Sequence, residues 1–301
     1  ESRYFNLNIG NKQYMLLLIE SFLARVINDL DSYNGFLKGF RDVINGTGGD
    51  YYNRLFSYLA HKENLEVKRF DHGGERCFFN DYVHWENELY KVDSYYTYGR
   101  THGKHIEFMA KRFSTVINVY EIAPPHFEVN NNNSKQKNTK ELGKVLYVPS
   151  SFVGEARHFP YAKITDVILF DFQKYLIESL KDNDFHVVYK KHPKGESPGQ
   201  DFLGNIADAS SVEPIKKVLN DYDVVIFEYA GSAFFEAINT DKRVILIDTM
   251  IRDFNVANKE KLTTKVRVVN SYWSTINDRL SVDKRDLVNA ILKHSDKKDT
   301  K

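Results

Sequence analysis

The chain has 301 residues, with 42 Lys and Arg against 41 Asp and Glu, and a single cysteine, Cys77. That length allows two domains, each with its own core. The near-zero net charge gives no reason to expect a nucleic-acid partner, and one cysteine excludes an internal disulfide and fits a reducing compartment. The longest apolar run, Met15 to Ile19, is far too short for a membrane span. No basic stretch followed by an apolar one marks a signal peptide. The first residues read as mid-domain sequence, so a piece of a longer protein is expected.

Residues 14 to 44 read as helix, because Leu16, Ile19, Leu23, Val26, Ile27 and Leu30 recur at helical spacing. Gly35 and Gly39 predict a break in its later turns. Gly46-Thr47-Gly48-Gly49 is a loop, and Asp50 is a suitable N-cap for a second helix reaching about His61. Leu65 to Phe70 alternates as a short strand and runs into Asp71-His72-Gly73-Gly74. Residues 82 to 91 read equally as helix or strand. Residues 93 to 98 form a strand closed by Gly99, 101 to 113 a helix, and 115 to 122 a strand.

The segment 124–143 holds two prolines, four consecutive asparagines and a Lys-, Gln- and Thr-rich stretch. It cannot pack a core and reads as a linker or disordered loop. It divides an N-terminal domain, 1–123, from a C-terminal one, 144–301. In the second half, strands are expected at 144–148, 186–189, 224–227 and 244–247. Helices are expected at 166–180, 214–219, 233–239 and 283–292. Short all-apolar strands such as Val224-Val225-Ile226-Phe227 suit a parallel sheet covered on both faces. The alternation of strand and helix predicts a doubly wound α/β domain, whose ligands sit beyond the carboxyl ends of the strands.

Three constellations stand at such ends. Lys190-Lys191-His192-Pro193-Lys194-Gly195 gathers three lysines and a histidine on a turn fixed by proline, a positive site suited to a phosphate; an exposed basic turn is the plainer reading. In Glu228-Tyr229-Ala230-Gly231-Ser232-Ala233-Phe234-Phe235-Glu236, a glycine and a serine open a helix whose first N–H groups can hold a phosphate or carboxylate. Ser232 adds a hydroxyl, Glu236 can reach a ribose diol, and Glu228 can face a sugar or its leaving group. Alternatively Ser232 only caps the helix and Glu236 completes a capping box. In Asp71-His72-Gly73-Gly74-Glu75-Arg76, His72 can serve as general base, with Asp71 or Glu75 orienting it and Arg76 holding an anion; a hairpin turn with a surface histidine explains the same residues. Ser150 and Ser151 can donate to phosphate at another strand end, and the Arg157-His158 loop can enter a cleft. Asp248 reads as a strand-end cap. His102 and His105 lack a third ligand nearby, so no metal site is expected. Neither a Walker-A pattern nor Gly-x-Gly-x-x-Gly is present.

These residues resemble the glycosyltransferases built from two Rossmann-like domains facing a cleft, the GT-B architecture. The span 223–248, with Glu228 and Glu236 eight positions apart, is similar to the donor-domain signature of that superfamily. Lys191-His192-Pro193 resembles the His-Pro motif of bacterial sialyl and Kdo transferases and of CDP-glycerol glycerophosphotransferases. His72-Gly73 resembles the acceptor-side His-Gly element of the last group. Gly231-Ser232 departs from the tandem hydroxyl residues of many such enzymes, and Glu228 stands where the glycerophosphotransferases carry Asp, which points to a sugar donor.

The resemblance implies an α/β fold with an incomplete N-terminal domain and a transferase acting in capsule or lipopolysaccharide biosynthesis. It would move a sugar, such as Kdo or sialic acid, from a nucleotide donor, CMP- or UDP-linked with CMP favoured, to a glycan or lipid-linked acceptor. No cofactor is required. Lys191, His192, Pro193, Gly231, Ser232, Glu236 and Ser150 would bind the donor, Gly73 and Arg76 the acceptor, and His72 and Glu228 would be catalytic. The place of action would be the cytoplasm, including the inner face of the membrane. A sugar-nucleotide epimerase and a non-catalytic GT-B-like binding module of a larger protein are the alternatives.

Overall fold

The structure, a computed structural model, describes residues 9–71, 76–79, 82–122, 143–152, 164–192 and 198–292. The Asn-rich segment, the His72-Gly73 turn, Pro193 and the Arg157-His158 loop lie outside these residues. The chain divides into two units: Glu1–Asp71, Trp85–Thr97 and Glu107–Tyr120 form the first, and His72–His84, Tyr98–Ile106 and Glu121–Lys301 the second. The division is interleaved in sequence, where composition alone places one break at 124–143.

The first unit opens with α1 (Ile9–Ser32). The predicted helix does not continue to residue 44. Gly35 and Gly39 take φ of +72° and +87°, a left-handed backbone that ends the helix. The chain then re-enters as a strand, β1 (Asp42–Asn45). Next in the chain come α2 (Tyr51–Lys62), β2 (Glu66–Phe70), α3 (Tyr82–Leu89), β3 (Ser94–Tyr98), α4 (Arg100–Arg112) and β4 (Asn118–Ile122), of which residues 82–84, 98, 100–106 and 121–122 count with the second unit. The four strands lie in chain order, and β1–β2 and β2–β3 are parallel. As predicted, Asp50 caps α2, accepting from the amides of Tyr52 and Asn53 at 2.9 and 3.2 Å.

Alternation along β2 buries Val67 and, unexpectedly for a charged side chain, Arg69. The Arg69 guanidinium is satisfied from three sides: it donates to Asn45 Oδ1 (2.6 Å), to the carbonyl of Glu88 (2.5 Å) and to Ser57 Oγ (3.1 Å). A buried charge is tolerable only when so completely bonded. Gly48 is fixed by the same network: a Cβ there would lie 2.0 Å from the carbonyl oxygen of Asn87.

The second unit is built on seven strands: β5 (Lys144–Val148), β6 (His186–Lys190), β7 (Ala209–Ser211), β8 (Val224–Phe227), β9 (Arg243–Asp248), β10 (Arg267–Ser274) and β11 (Arg279–Val282). Their spatial order is β11-β10-β9-β8-β5-β6-β7. All neighbours are parallel except β10 and β11. The helices are α5 (Asp166–Lys181), α6 (Pro198–Ile206), α7 (Ile215–Val218), α8 (Ser232–Ile238), α9 (Val256–Thr263) and α10 (Lys284–Leu292). Asp283 begins α10, accepting from the amides of Arg285 and Asp286.

The apolar strands are explained by cores on both faces. Val145 and Tyr147 of β5 pack with Phe172, Leu176 and Ile291 on one side. Leu146, between them, packs with Val188, Phe234 and Leu262 on the other. The chain runs outward from β5 to β6 and β7, then returns to the opposite side of β5 and runs outward again through β8, β9 and β10. This is the order of a doubly wound, Rossmann-like α/β sheet, and it reverses between β5 and β8.

Candidate functional site

A reversal of strand order leaves a crevice, because the connections leaving the two central strands diverge to opposite faces. Here that point lies beyond the carboxyl ends of β5 and β8. Ser150 follows β5, Glu228 follows β8, and residues 191 and 192 follow β6 on the far side of β5. The parallel sheet therefore brings together the strand ends that carry three of the sequence-predicted donor elements.

The sequence turns Glu228 toward a sugar, but the structure holds its carboxylate inside. It is 3% exposed. It accepts from the hydroxyl of Tyr147 on β5, from the Ser150 amide at 2.9 Å and from Gln173 Nε2 on α5 at 2.9 Å. Gln173 Nε2 also reaches the Ser150 carbonyl at 2.9 Å, and Tyr189 of β6 donates to Gln173 Oε1 at 3.5 Å. Four elements are thus tied beneath the crevice, and Glu228 fixes the turn that presents Ser150. Burial raises its carboxyl from the ordinary 4.5 to about 7, against the opposing hydrogen bonds of Tyr147, Ser150 and Gln173. Burial, then the Glu228 charge, raises both Tyr147 and Tyr189, so both remain neutral donors.

Gly231 is the N-cap of α8, with φ of −88° and no side-chain capping bond. Ser232 is therefore the first helical residue, and the alternative in which it caps the helix is not what forms. The Gly231 carbonyl takes the amides of Phe234 and Phe235. The amides of Ser232 and Ala233 precede the intrahelical pattern, and Ser232 is exposed while Glu236, one turn on, is half-buried.

After β6, Lys190 is buried and its ammonium bonds the Lys191 carbonyl at 2.8 Å; burial lowers its pKa. Lys191 pairs with Asp201 of α6 at 2.5 Å. The two lysines thus brace the turn, and His192 beside them is half-buried. Arg76 lies on a short 3-10 turn, Arg76–Phe78. Asp248 ends β9 as a turn cap, accepting from the Met250 amide at 3.0 Å and from Lys259 at 2.6 Å.

Tyr147, Gln173 and Tyr189 escape the sequence reading. The available signal was a polar atom at each otherwise apolar position: Tyr in two buried strands, and Gln within the buried stripe of α5. Burial of His105, then the neighbouring His102, lowers the His105 pKa to about 4, and it stays neutral near pH 7. Among the described residues no three His, Cys, Asp or Glu side chains converge as a metal would need, and no helix is long and apolar enough to cross a membrane. No protein-family model and no curated protein matches the chain.

Proposed function

We propose that the chain is a nucleotide-sugar-dependent glycosyltransferase of the GT-B type, with the second unit as its donor domain. The observation that carries this reading is the reversal of strand order between β5 and β8, with His192, Ser150 and Ser232 at the three adjoining strand ends. A nucleotide diphosphate or monophosphate ester placed there meets an imidazole, a serine hydroxyl and the first amides of α8. These donors stabilise the phosphate as it departs, by fixed electrostatics and without proton bookkeeping at a metal. Glu236 is the ribose contact. Glu228 acts as a positioning residue through Ser150. His72 as base and Gly73 and Arg76 at the acceptor complete the proposal, and a surface glycan assembled at the inner face of the membrane is the setting.

The test is transfer from CMP- and UDP-linked sugars. His192→Ala and Ser232→Ala are each expected to lower kcat/KM about 100-fold, with the fold intact by circular dichroism. Full activity in both variants would remove the site assignment. Conversion of the nucleotide sugar with no acceptor present would instead indicate an epimerase.

A further inference from the structure

The helix α1 meets the rest of the first unit along one flank. Phe22 packs edge-on against Tyr51 of α2, with ring centroids 6.1 Å apart. The Arg25 guanidinium carbon lies 4.9 Å from the Tyr51 centroid, and Asp29 accepts from the Tyr51 hydroxyl at 2.9 Å. Positions 22, 25 and 29 share one side of a helix, so they define the docked flank. A second stripe, Leu16, Ile19, Leu23, Ile27 and Leu30, lies roughly 120° around the helix from it. The first four of these are 58, 49, 51 and 58% exposed, and Leu30 is half-buried. A helix with so wide an apolar sector is made for two neighbours. One is α2, and the exposed stripe is the place for the other.

The stripe suits a second copy of this chain. Its members are spaced 3, 4, 4 and 3 apart, the same from either end. Two copies laid antiparallel about Leu23 therefore set Ile19 against Ile27 and Leu16 against Leu30, twice over, which is the self-complementarity of a twofold interface. The last turn of α1 holds Asp29 and Asp31 and no basic residue, an arrangement that the helix dipole disfavours. An antiparallel neighbour brings its positive N-terminal end alongside that turn, whereas a parallel one would bring two acidic ends together. The N-terminal half of the second α1 also runs toward the turn that carries Phe36 and Phe40, 57 and 56% exposed. With the four exposed stripe residues these rings present on the order of 100 Å² each, roughly 1,200 Å² for two copies, the lower end of stable interfaces. A lipid surface suits α1 less. Glu20 and Asp31 are exposed and Arg25 is turned to Tyr51 and Asp29, so the polar side lacks the basic character of an interfacial helix.

We infer that the chain forms a twofold homodimer in which α1 pairs antiparallel with α1 of a second copy along Leu16, Ile19, Leu23, Ile27 and Leu30. Leu17 and Leu18 lie more than about 100° from the centre of the stripe and stay in water. An interface of this size makes a reversible pair, so the mass depends on concentration. The pairing is independent of the transfer chemistry proposed above.

Sedimentation equilibrium of the whole chain across the micromolar range tests this. The mass is expected to rise with concentration from 35.1 kDa toward twice that value. Leu23→Glu sets two like charges face to face on the twofold axis and should weaken the pair at least about tenfold. Leu17→Glu should pair as wild type does, and circular dichroism should be unchanged in both variants. A short bifunctional maleimide reads the orientation. Mixed Ile19→Cys and Ile27→Cys chains should be joined to one another far more than either is joined to itself, with the native Cys77 buried and out of reach. A single-chain mass at every concentration, equal association by wild type and Leu23→Glu, or self-joining of Ile19→Cys as strong as the mixed product each overturns the inference. So does single-chain protein that binds phosphatidylcholine vesicles and loses that binding in Leu23→Glu, which would assign the stripe to lipid.

Discussion

Glu228 shows how one carboxyl couples the candidate site to stability. Its folded pKa of about 7 lies above the ordinary 4.5, so the folded state holds this proton more tightly than the unfolded one. The stability it contributes is full below about pH 4.5 and is lost as pH rises through about 7, a change of roughly 3 kcal/mol. Glu228→Gln keeps the shape and removes the charge. It should flatten the dependence of Tm on pH across that window, and a thermal-melt series in buffers spanning it checks the point. Glu228→Ala strands the donors of Tyr147, Ser150 and Gln173, and should cost about 2–4 kcal/mol in chemical denaturation below about pH 4.5, with a smaller difference from wild type above about pH 7. His105 works in the opposite sense. Its folded pKa is lowered to about 4, so the stability it contributes is present above about pH 6.5 and is lost as pH falls through about 4.

At the scale of elements, caps and turns set where helices begin and end. Asp50 takes two amides of α2, so Asp50→Ala should lower stability by about 1 kcal/mol, measured by urea denaturation. The first-unit strand β1 shows what apolar spacing misses: Val43 and Ile44 continue the helical period of α1 in sequence, but left-handed Gly35 and Gly39 break it. The strands β5, β6, β8 and β9 were legible because both of their faces are covered, which demands unbroken apolar runs. The elements α6, β7, α9, β10 and β11 were not legible. α9 buries only Asn258 and Leu262, and β10 carries the exposed Tyr272 and Trp273, so neither has the periodicity that sequence reading needs.

On the scale of the whole molecule, α1 is the outlier. Leu16, Leu17, Leu18, Ile19 and Leu23 are all exposed, Leu17 at 63%. Removing an exposed side chain leaves no cavity, so Leu17→Glu should shift folding stability by less than about 0.5 kcal/mol. Binding of a hydrophobic dye to the native protein should fall in the same variant. A tenfold or larger loss of stability would mean that this face is covered in solution. The cores of the second unit, by contrast, are closed on both faces, and they hold the strand ends rigid enough to position donors.

Sequence by itself determined the α/β character of the chain, four strands of the second unit's sheet and the cap on α2. Each follows from local chemistry: apolar runs, turn residues and helix-opening side chains act within a few positions. Only the tertiary structure decided the direction of Glu228 and the tie between α9 and the Cys77 carbonyl. Tyr147 reaches Glu228 across 81 positions and Gln173 across 55, and Asn258 reaches the Cys77 carbonyl across 181. Partners so far apart leave no periodic trace, because sheet order and helix packing bring them together and residue spacing does not.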